Sequence, residues 1–348
     1  MPNQAASMRG AARERNIIRR STSGRPDASV CGMRTLGIGT VLLVLSTCMS
    51  EGTLLPARSV ESRHLEGART VRVYLPPSYE RAPRRRYAVL YLHDGQNVFS
   101  SAGTNCCFGW GSWELDKTVD RLIAQGRMAE IIMVGVDNSR ARYKENRGLL
   151  YERPGQRPVP GRSAASNAVD NSRFEAYTQF LVEELKPAID REFRTRKSAA
   201  YTGVMGASMG GLGSLALAWE NPKVFGLAAS LSGAFQVEKR NFLESVLQPY
   251  RGRPKPFRVY LDSGTVDLSG DDDGRRENDA VAAELRRIGW KDGKTLLHFT
   301  DKHLLSEPEL EQAGLRRDKW EEALRSQHNE FYWRLRAWRA LEFLFPPK

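Results

Sequence analysis

The chain has 348 residues, 41% of them hydrophobic and 27% charged, with a formal net charge of +12. That length and apolar fraction suffice for one large α/β domain or two ordinary ones, and they exclude an intrinsically disordered chain, a collagen-like repeat and a disulfide-stapled miniprotein. The positive balance invites nucleic acid or anionic lipid as a partner, but residues 1–50 hold seven arginines against Glu14 and Asp27, leaving only +7 for the remaining 298 residues.

The first feature along the chain is an apolar run from Thr35 to Leu45. It has the length of a signal-peptide h-region and falls short of the roughly 18 to 20 residues that a membrane span needs, so it reads as an export signal. The run ends in Leu45-Ser46-Thr47-Cys48, which is similar to a bacterial lipobox except that Thr47 stands where Gly or Ala is usual. A lipid anchor at Cys48 is therefore the sole membrane attachment expected. Met33-Arg34 would by itself begin a compact signal, and from either start the basic head would be missing from the working protein. The expectation is a periplasmic, cell-envelope or secreted protein whose residues 51–348 form a single domain, since they contain no repeat and no clear linker.

From residue 69 short β-branched apolar runs alternate with longer amphipathic ones, the pattern of a mostly parallel sheet covered by helices. Strands are expected at Val71 to Leu75 and Tyr87 to Leu92. The second runs into His93-Asp94-Gly95-Gln96-Asn97, where a glycine lets the backbone approach a substrate. His93 and Asp94 have no third ligand at a suitable spacing for a metal and are read as shaping this loop. Cys106 and Cys107 lack the C-x-x-C spacing of a zinc or redox site; two ordinary loop thiols are expected, with a vicinal disulfide as the alternative. Cys106, Phe108, Trp110 and Trp113 are candidate pocket lining by position.

A helix over Ser112 to Gln125, a strand over Ile131 to Val136, a long polar surface loop over 140–172 and a helix over Arg173 to Phe193 follow. The strand Ala200 to Met205 then leads into Gly206-Ala207-Ser208-Met209-Gly210, a G-x-S-x-G pattern that opens a small-residue helix. Such a strand-to-helix turn holds its serine in a strained conformation above the sheet, and larger side chains than glycine at its flanks would strike backbone. Ser208 is the candidate nucleophile. Its oxyanion would be met by the N–H of Met209 and by a donor from the loop after the second strand, Gln96 with Gly95 as the alternative.

A serine hydroxyl needs an imidazole, and the imidazole a carboxylate. Beyond the strands Leu227 to Leu231 and Phe257 to Leu261, two candidates for the acid stand in Leu261-Asp262-Ser263-Gly264-Thr265-Val266-Asp267. Asp262 is still at the strand end and can cap the turn; Asp267 lies past the bend and can reach back. Asp271, Asp272 and Asp273 look like a solvated or ion-facing charge run. After a helix over Arg276 to Ile288 and a strand over Thr295 to Phe299, a charged helical insertion spans 301–327. His298 lies inside the strand and His303 immediately after it, whereas His328 falls between the last strand and the helix Phe331 to Phe345, where the base is expected.

Taken together, Leu92-His93-Asp94-Gly95-Gln96-Asn97, Gly206-Ala207-Ser208-Met209-Gly210-Gly211, Gly264-Thr265-Val266-Asp267 and His328-Asn329-Glu330 with Trp333 resemble the putative esterase family of the α/β hydrolases. The resemblance runs from about residue 69 to the C-terminus. It implies an α/β-hydrolase fold and a Ser208, Asp267, His328 triad that cleaves carboxylic esters through an acyl-enzyme, without cofactor or metal. A further similarity is Gly135-Val136-Asp137-Asn138 followed by Arg142-x-x-Glu145, which places Arg142 with Gly95, Trp110 and Trp113 among the substrate-binding candidates. A sugar-, polyol- or siderophore-linked ester is the expected substrate. An acyltransferase or a catalytically inactive surface binding protein of the same fold are the rivals, and nucleic acid is not expected, since no basic-aromatic interleaving accompanies the charge.

Overall fold

The computed structural model describes residues 51–151, 169–267, 270 and 272–347. The apolar run Thr35 to Leu45, the start at Met33, Cys48, Asp271 and most of the polar stretch after Tyr151 lie outside the described residues. The chain divides between Thr47 and Cys48, and every described residue belongs to the second unit.

The central apolar runs become strands because each is buried on both faces, while the run at the far edge, Leu296–Thr300, is only partly covered. In chain order the strands are β1 Thr53–Leu54, β2 Arg58–Val60, β3 Arg69–Leu75, β4 Ala88–His93, β5 Ile131–Val136, β6 Thr202–Ala207, β7 Leu227–Leu231, β8 Arg258–Ser263 and β9 Leu296–Thr300. The sheet order is β1-β3-β5-β4-β6-β7-β8-β9, with β2 also on β3; β3 runs antiparallel to β5, and β5 through β9 are parallel. Seven of the nine strands coincide with apolar runs in the sequence. β1 and β2, two and three residues long, are too short to carry a period.

Alternate side chains of the central strands enter two hydrophobic cores. Val89 and Tyr91 of β4 pack under α2 Ser172–Gln179, α3 Lys186–Glu192, α4 Met209–Glu220 and α5 Arg275–Ile288. Leu90 and Leu92 face α1 Leu115–Ala124 and α6 Glu330–Leu344 on the other side. The chain leaves the centre of the sheet in both directions from β4, and such a reversal opens a crevice at the carboxyl ends of the strands.

The polar stretch 140–172 departs from the surface loop expected. Arg142–Asn146 is helical, and Glu145 and Asn146 are buried. The cause is Arg69 at the start of β3, itself buried, whose guanidinium takes Glu145 at 2.7 Å; a buried cation requires such a partner. The insertion forms two short helices, Glu307–Gln312 and Trp320–Ala323, over a cluster of Leu310, Leu315, Ala323, Trp110, Phe331 and Tyr332.

Candidate active site

β6 delivers Ser208 at φ 52°, ψ −121°, and α4 begins at the next residue. The flanking glycines are required sterically: a Cβ at Gly206 would lie 2.7 Å from the Gly210 carbonyl group, and one at Gly210 3.1 Å from the His93 Cβ. The positive φ of a non-glycine residue is the kind of strain that concentrates at functional sites.

His328 arrives from the other side, ahead of α6. Asn329 caps that helix through its side chain, which accepts from the Tyr332 N–H at 3.1 Å. The imidazole lies edge-on to Trp333, with ring centroids 5.2 Å apart. Its Nε2 is 3.0 Å from Ser208 Oγ and its Nδ1 is 2.6 Å from Asp273 Oδ1. With the proton on Nδ1, Asp273 accepts from the ring and Nε2 is free to take the serine proton.

The carboxylate at the imidazole is thus Asp273, not the expected Asp267. After β8 the chain passes Asp267, turns, and comes back, so that Asp273, at φ 55°, is fully buried just before α5. Its Oδ2 accepts from Ser232 Oγ at 2.7 Å and from the Gly264 N–H. Asp267 sits half-buried on the outbound arm, where its carbonyl accepts from the Gly270 N–H at 3.1 Å. Asp272, next to Asp273, is not the solvated charge expected of the run: its side chain is largely covered and pairs with Arg276 at 2.9 Å. Asp262 points inward from β8, accepts from the Tyr260 hydroxyl at 2.9 Å and lies 3.2 Å from Arg336.

Arg336 was not legible as a site residue. Its fully buried guanidinium donates to Ser232 Oγ at 2.6 Å and lies 3.7 Å from Asp273 Oδ2, so one cation of α6 faces both buried aspartates. Burial would lower its pKa, but Asp262 and Asp273 hold it above its ordinary value. Burial raises the Asp262 carboxyl, with Arg336 opposing that rise. Position 336 reads only as part of an amphipathic helix, which is why no sequence signal marks it. Gln327, also missed, accepts from the Thr265 N–H at 2.6 Å and donates to the carbonyls of Asp301 and His303 at 3.2 Å, tying the acid loop to the insertion.

The loop after β4 is built around a left-handed Asp94, φ 56°. Arg142 grips it with both Nε and Nη2, at 2.6 and 2.7 Å, and Asn138 Nδ2 adds a third bond at 2.7 Å. Burial would raise the Asp94 pKa, but the bonds from Arg142 and Asn138 hold it below its ordinary value. Arg142, expected to bind substrate, is therefore neutralised by Asp94. Gly95 likewise answers a packing need: a Cβ there would lie 2.5 Å from the β5 backbone at Gly135. Gln96 lies in the helical turn Gly95–Val98 and Met209 is the first residue of α4. Main-chain donors in a first helical turn have no intrahelical acceptor. The Gln96 side chain accepts from the Asn138 N–H at 3.0 Å, which holds that turn against the end of β5.

His93 is buried, with Nδ1 3.0 Å from the Tyr177 hydroxyl, and burial pushes its pKa down to about 4. Trp110 and Trp113, expected as lining, are only 8% and 4% exposed. Trp110 belongs to the insertion cluster and Trp113 packs on Trp333, because the loop bearing them is roofed by 301–327 and α6. Phe108, by contrast, is 93% exposed. Cys106 and Cys107 are free thiols, Sγ to Sγ 3.4 Å, and burial raises both. Among the described residues no group of three or more His, Cys, Asp or Glu is placed to hold a metal ion.

A parallel-centred sheet with helices on both faces and a strained serine at its crevice defines an α/β hydrolase. Residues 62–334 match the family model Esterase, described as "Putative esterase", and the chain belongs to that family; it is an esterase. The Bacillus subtilis protein YbbA is 25% identical over 205 residues, 59% of this chain and 71% of that protein. An endo-1,4-beta-xylanase/feruloyl esterase of Xylanibacter ruminicola is 26% identical over 175 residues, 47% of this chain and 19% of that one. Among solved structures, a ferulic acid esterase matches with a TM-score of 0.58 at 18% identity, covering 85% of this chain and 98% of the other. The enterobactin esterase FES of Shigella flexneri matches with a TM-score of 0.56 at 18% identity, covering 85% and 61%. At these identities the structures show a shared fold.

Proposed function

We propose that this esterase is a serine hydrolase working through an acyl-enzyme, with Ser208 as nucleophile, His328 as general base and Asp273 as the carboxylate that orients it. The observation that carries this reading is the continuous relay from Ser208 Oγ to His328 at 3.0 Å and on to Asp273 at 2.6 Å. His328 takes the serine proton as Ser208 Oγ attacks the ester carbonyl, and returns it to the leaving alcohol. The oxyanion is met by the N–H groups of Met209 and Gln96. Water, activated by the same imidazole, then cleaves the acyl-enzyme and frees Ser208. Asp273, buried and aligned on Nδ1, holds the tautomer that leaves Nε2 free.

The substrate class is a sugar-, polyol- or siderophore-linked carboxylic ester. The similar ferulic acid and enterobactin esterases support a small-molecule ester, and the apolar run at Thr35 to Leu45 supports an exported enzyme meeting it outside the cytoplasm. The test is labelling of the folded full chain by a fluorophosphonate probe, with turnover of p-nitrophenyl, feruloyl and acetylated-sugar esters. Ser208→Ala abolishes labelling and turnover. Asp273→Asn lowers kcat by about 10³ to 10⁴, the scale for a triad carboxylate, whereas Asp267→Asn stays within roughly tenfold of wild type. Wild-type protein that folds yet takes no probe would sink the hydrolase, and a severe loss confined to Asp267→Asn would return the acid role to that residue.

A further inference from the structure

At the opposite end of the strands from Ser208, where the parallel strands begin, a cleft of about 190 Å³ is lined by four guanidinium groups: Arg85, Arg86, Arg196 and Arg258. Arg86 lies just ahead of β4, Arg196 ahead of β6, and Arg258 opens β8. Six residues of β6, at about 3.3 Å each, put this cleft roughly 20 Å from the nucleophile.

Among the described residues the single carboxylate in the cleft is Glu130, which is 2.6 Å from Arg85 and accepts from Ser78 as well. Among the described residues the other three guanidinium groups meet no carboxylate. Arg258 donates to the carbonyls of Phe343 at 3.1 Å and Leu344 at 2.5 Å, at the end of α6. Arg86 donates to the Thr195 carbonyl at 3.4 Å, and Arg196 lies over the Tyr201 ring. Carbonyls and rings orient a guanidinium without neutralising it. Burial lowers the Arg258 guanidinium, and nothing raises it back. The more deeply buried arginines of this chain are each paired, Arg69 with Glu145, Arg142 with Asp94 and Arg336 with Asp262. Here four guanidinium groups share one cleft with one described carboxylate, a surplus of three positive charges.

We propose that this cleft is an oxyanion-binding site, selective for a tetrahedral phosphate-type group carrying two negative charges. Guanidinium forks held from behind present their remaining N–H donors in the geometry that phosphate oxygens accept, beside Phe345 and Tyr201 in the cleft lining. The phosphate can come from the free anion or from a lipid headgroup; the recognition chemistry is the same. This site stands apart from Ser208, and its test does not depend on ester cleavage.

The experiment is calorimetric titration of the full chain with inorganic phosphate at constant ionic strength set with sodium chloride, with thermal unfolding as a second readout. The expected result is saturable binding at one site and a melting midpoint raised by a few degrees in phosphate but not in chloride. The double variant Arg86→Gln, Arg196→Gln, both at the surface, binds phosphate at least tenfold more weakly while its fluorophosphonate labelling matches wild type. No saturable heat in the wild type, or an unchanged response in the folded double variant, overturns the proposal. Phosphatidylglycerol vesicles identify the source. Sedimentation with vesicles that is reduced in the double variant and competed by phosphate assigns the site to a headgroup, and phosphate binding with no difference in sedimentation between the two proteins assigns it to the free anion.

Discussion

His93, the last residue of β4, is held neutral by burial: its pKa falls from 6.5 to about 4. Between those two pH values the unfolded chain binds a proton that the folded chain does not, so stability rises with pH across the window and is lost as pH falls through it. The loss from this group is roughly 2 kcal/mol at pH 5 and approaches about 3 kcal/mol near pH 4. Urea unfolding at pH 7.5 and pH 5 measures it. His93→Gln is expected to flatten that difference by about 2 kcal/mol; an undiminished slope would show that other groups carry it. The residue scale also explains why Asp273 rather than Asp267 stands at the imidazole. Asp272 and Asp273 are adjacent and chemically identical, and the left-handed corner at 273 turns Asp273 onto the imidazole.

Elements carry the site through their ends. The turn from β6 to α4 is dictated locally by Gly206 and Gly210, and so was legible as soon as the strand and helix patterns were. The insertion works differently. Its cluster holds Leu310 beside Trp110 and beside Phe331 and Tyr332 of α6, the helix that follows His328 directly. Leu310 is fully buried, and Leu310→Ala is expected to destabilise by about 2 to 5 kcal/mol through the cavity it leaves. Because α6 is also anchored on the main core through Trp333, Ala337 and Leu341, the folded variant should keep the imidazole in place. The prediction is an earlier urea midpoint with kcat lowered less than tenfold for p-nitrophenyl acetate. A loss above a hundredfold in folded protein would mean that the insertion positions His328 directly.

Across the whole molecule, Arg336 joins the last helix to the ends of β7 and β8. It meets Ser232, Asp262 and Asp273 in a volume without solvent. Removing one partner of such a network strands buried charge and costs about 3 to 5 kcal/mol. Arg336→Met should lose that much by urea unfolding, and adding Asp262→Asn should recover part of it by removing a carboxylate left without its cation. If Arg336→Met cost under about 1 kcal/mol, the network would not be what holds α6 to the sheet.

What the chain announces on its own is whatever depends on neighbours within a few residues. The seven longer strands show as apolar runs, the proposed nucleophile as a strand, a G-x-S-x-G turn and a small-residue helix, and the proposed base as the histidine ahead of the last amphipathic helix. What tertiary structure decided is which charged groups share a buried space. Asp273 displaces Asp267 because the loop folds back on β8; Arg142 serves Asp94 because β4 and β5 bring their loops together; Arg336 faces two aspartates from a distant helix. Hydrophobic periodicity reports how an element is buried, whereas a carboxylate acquires its partner from the path the chain takes in returning. That path is settled by packing between elements far apart in sequence.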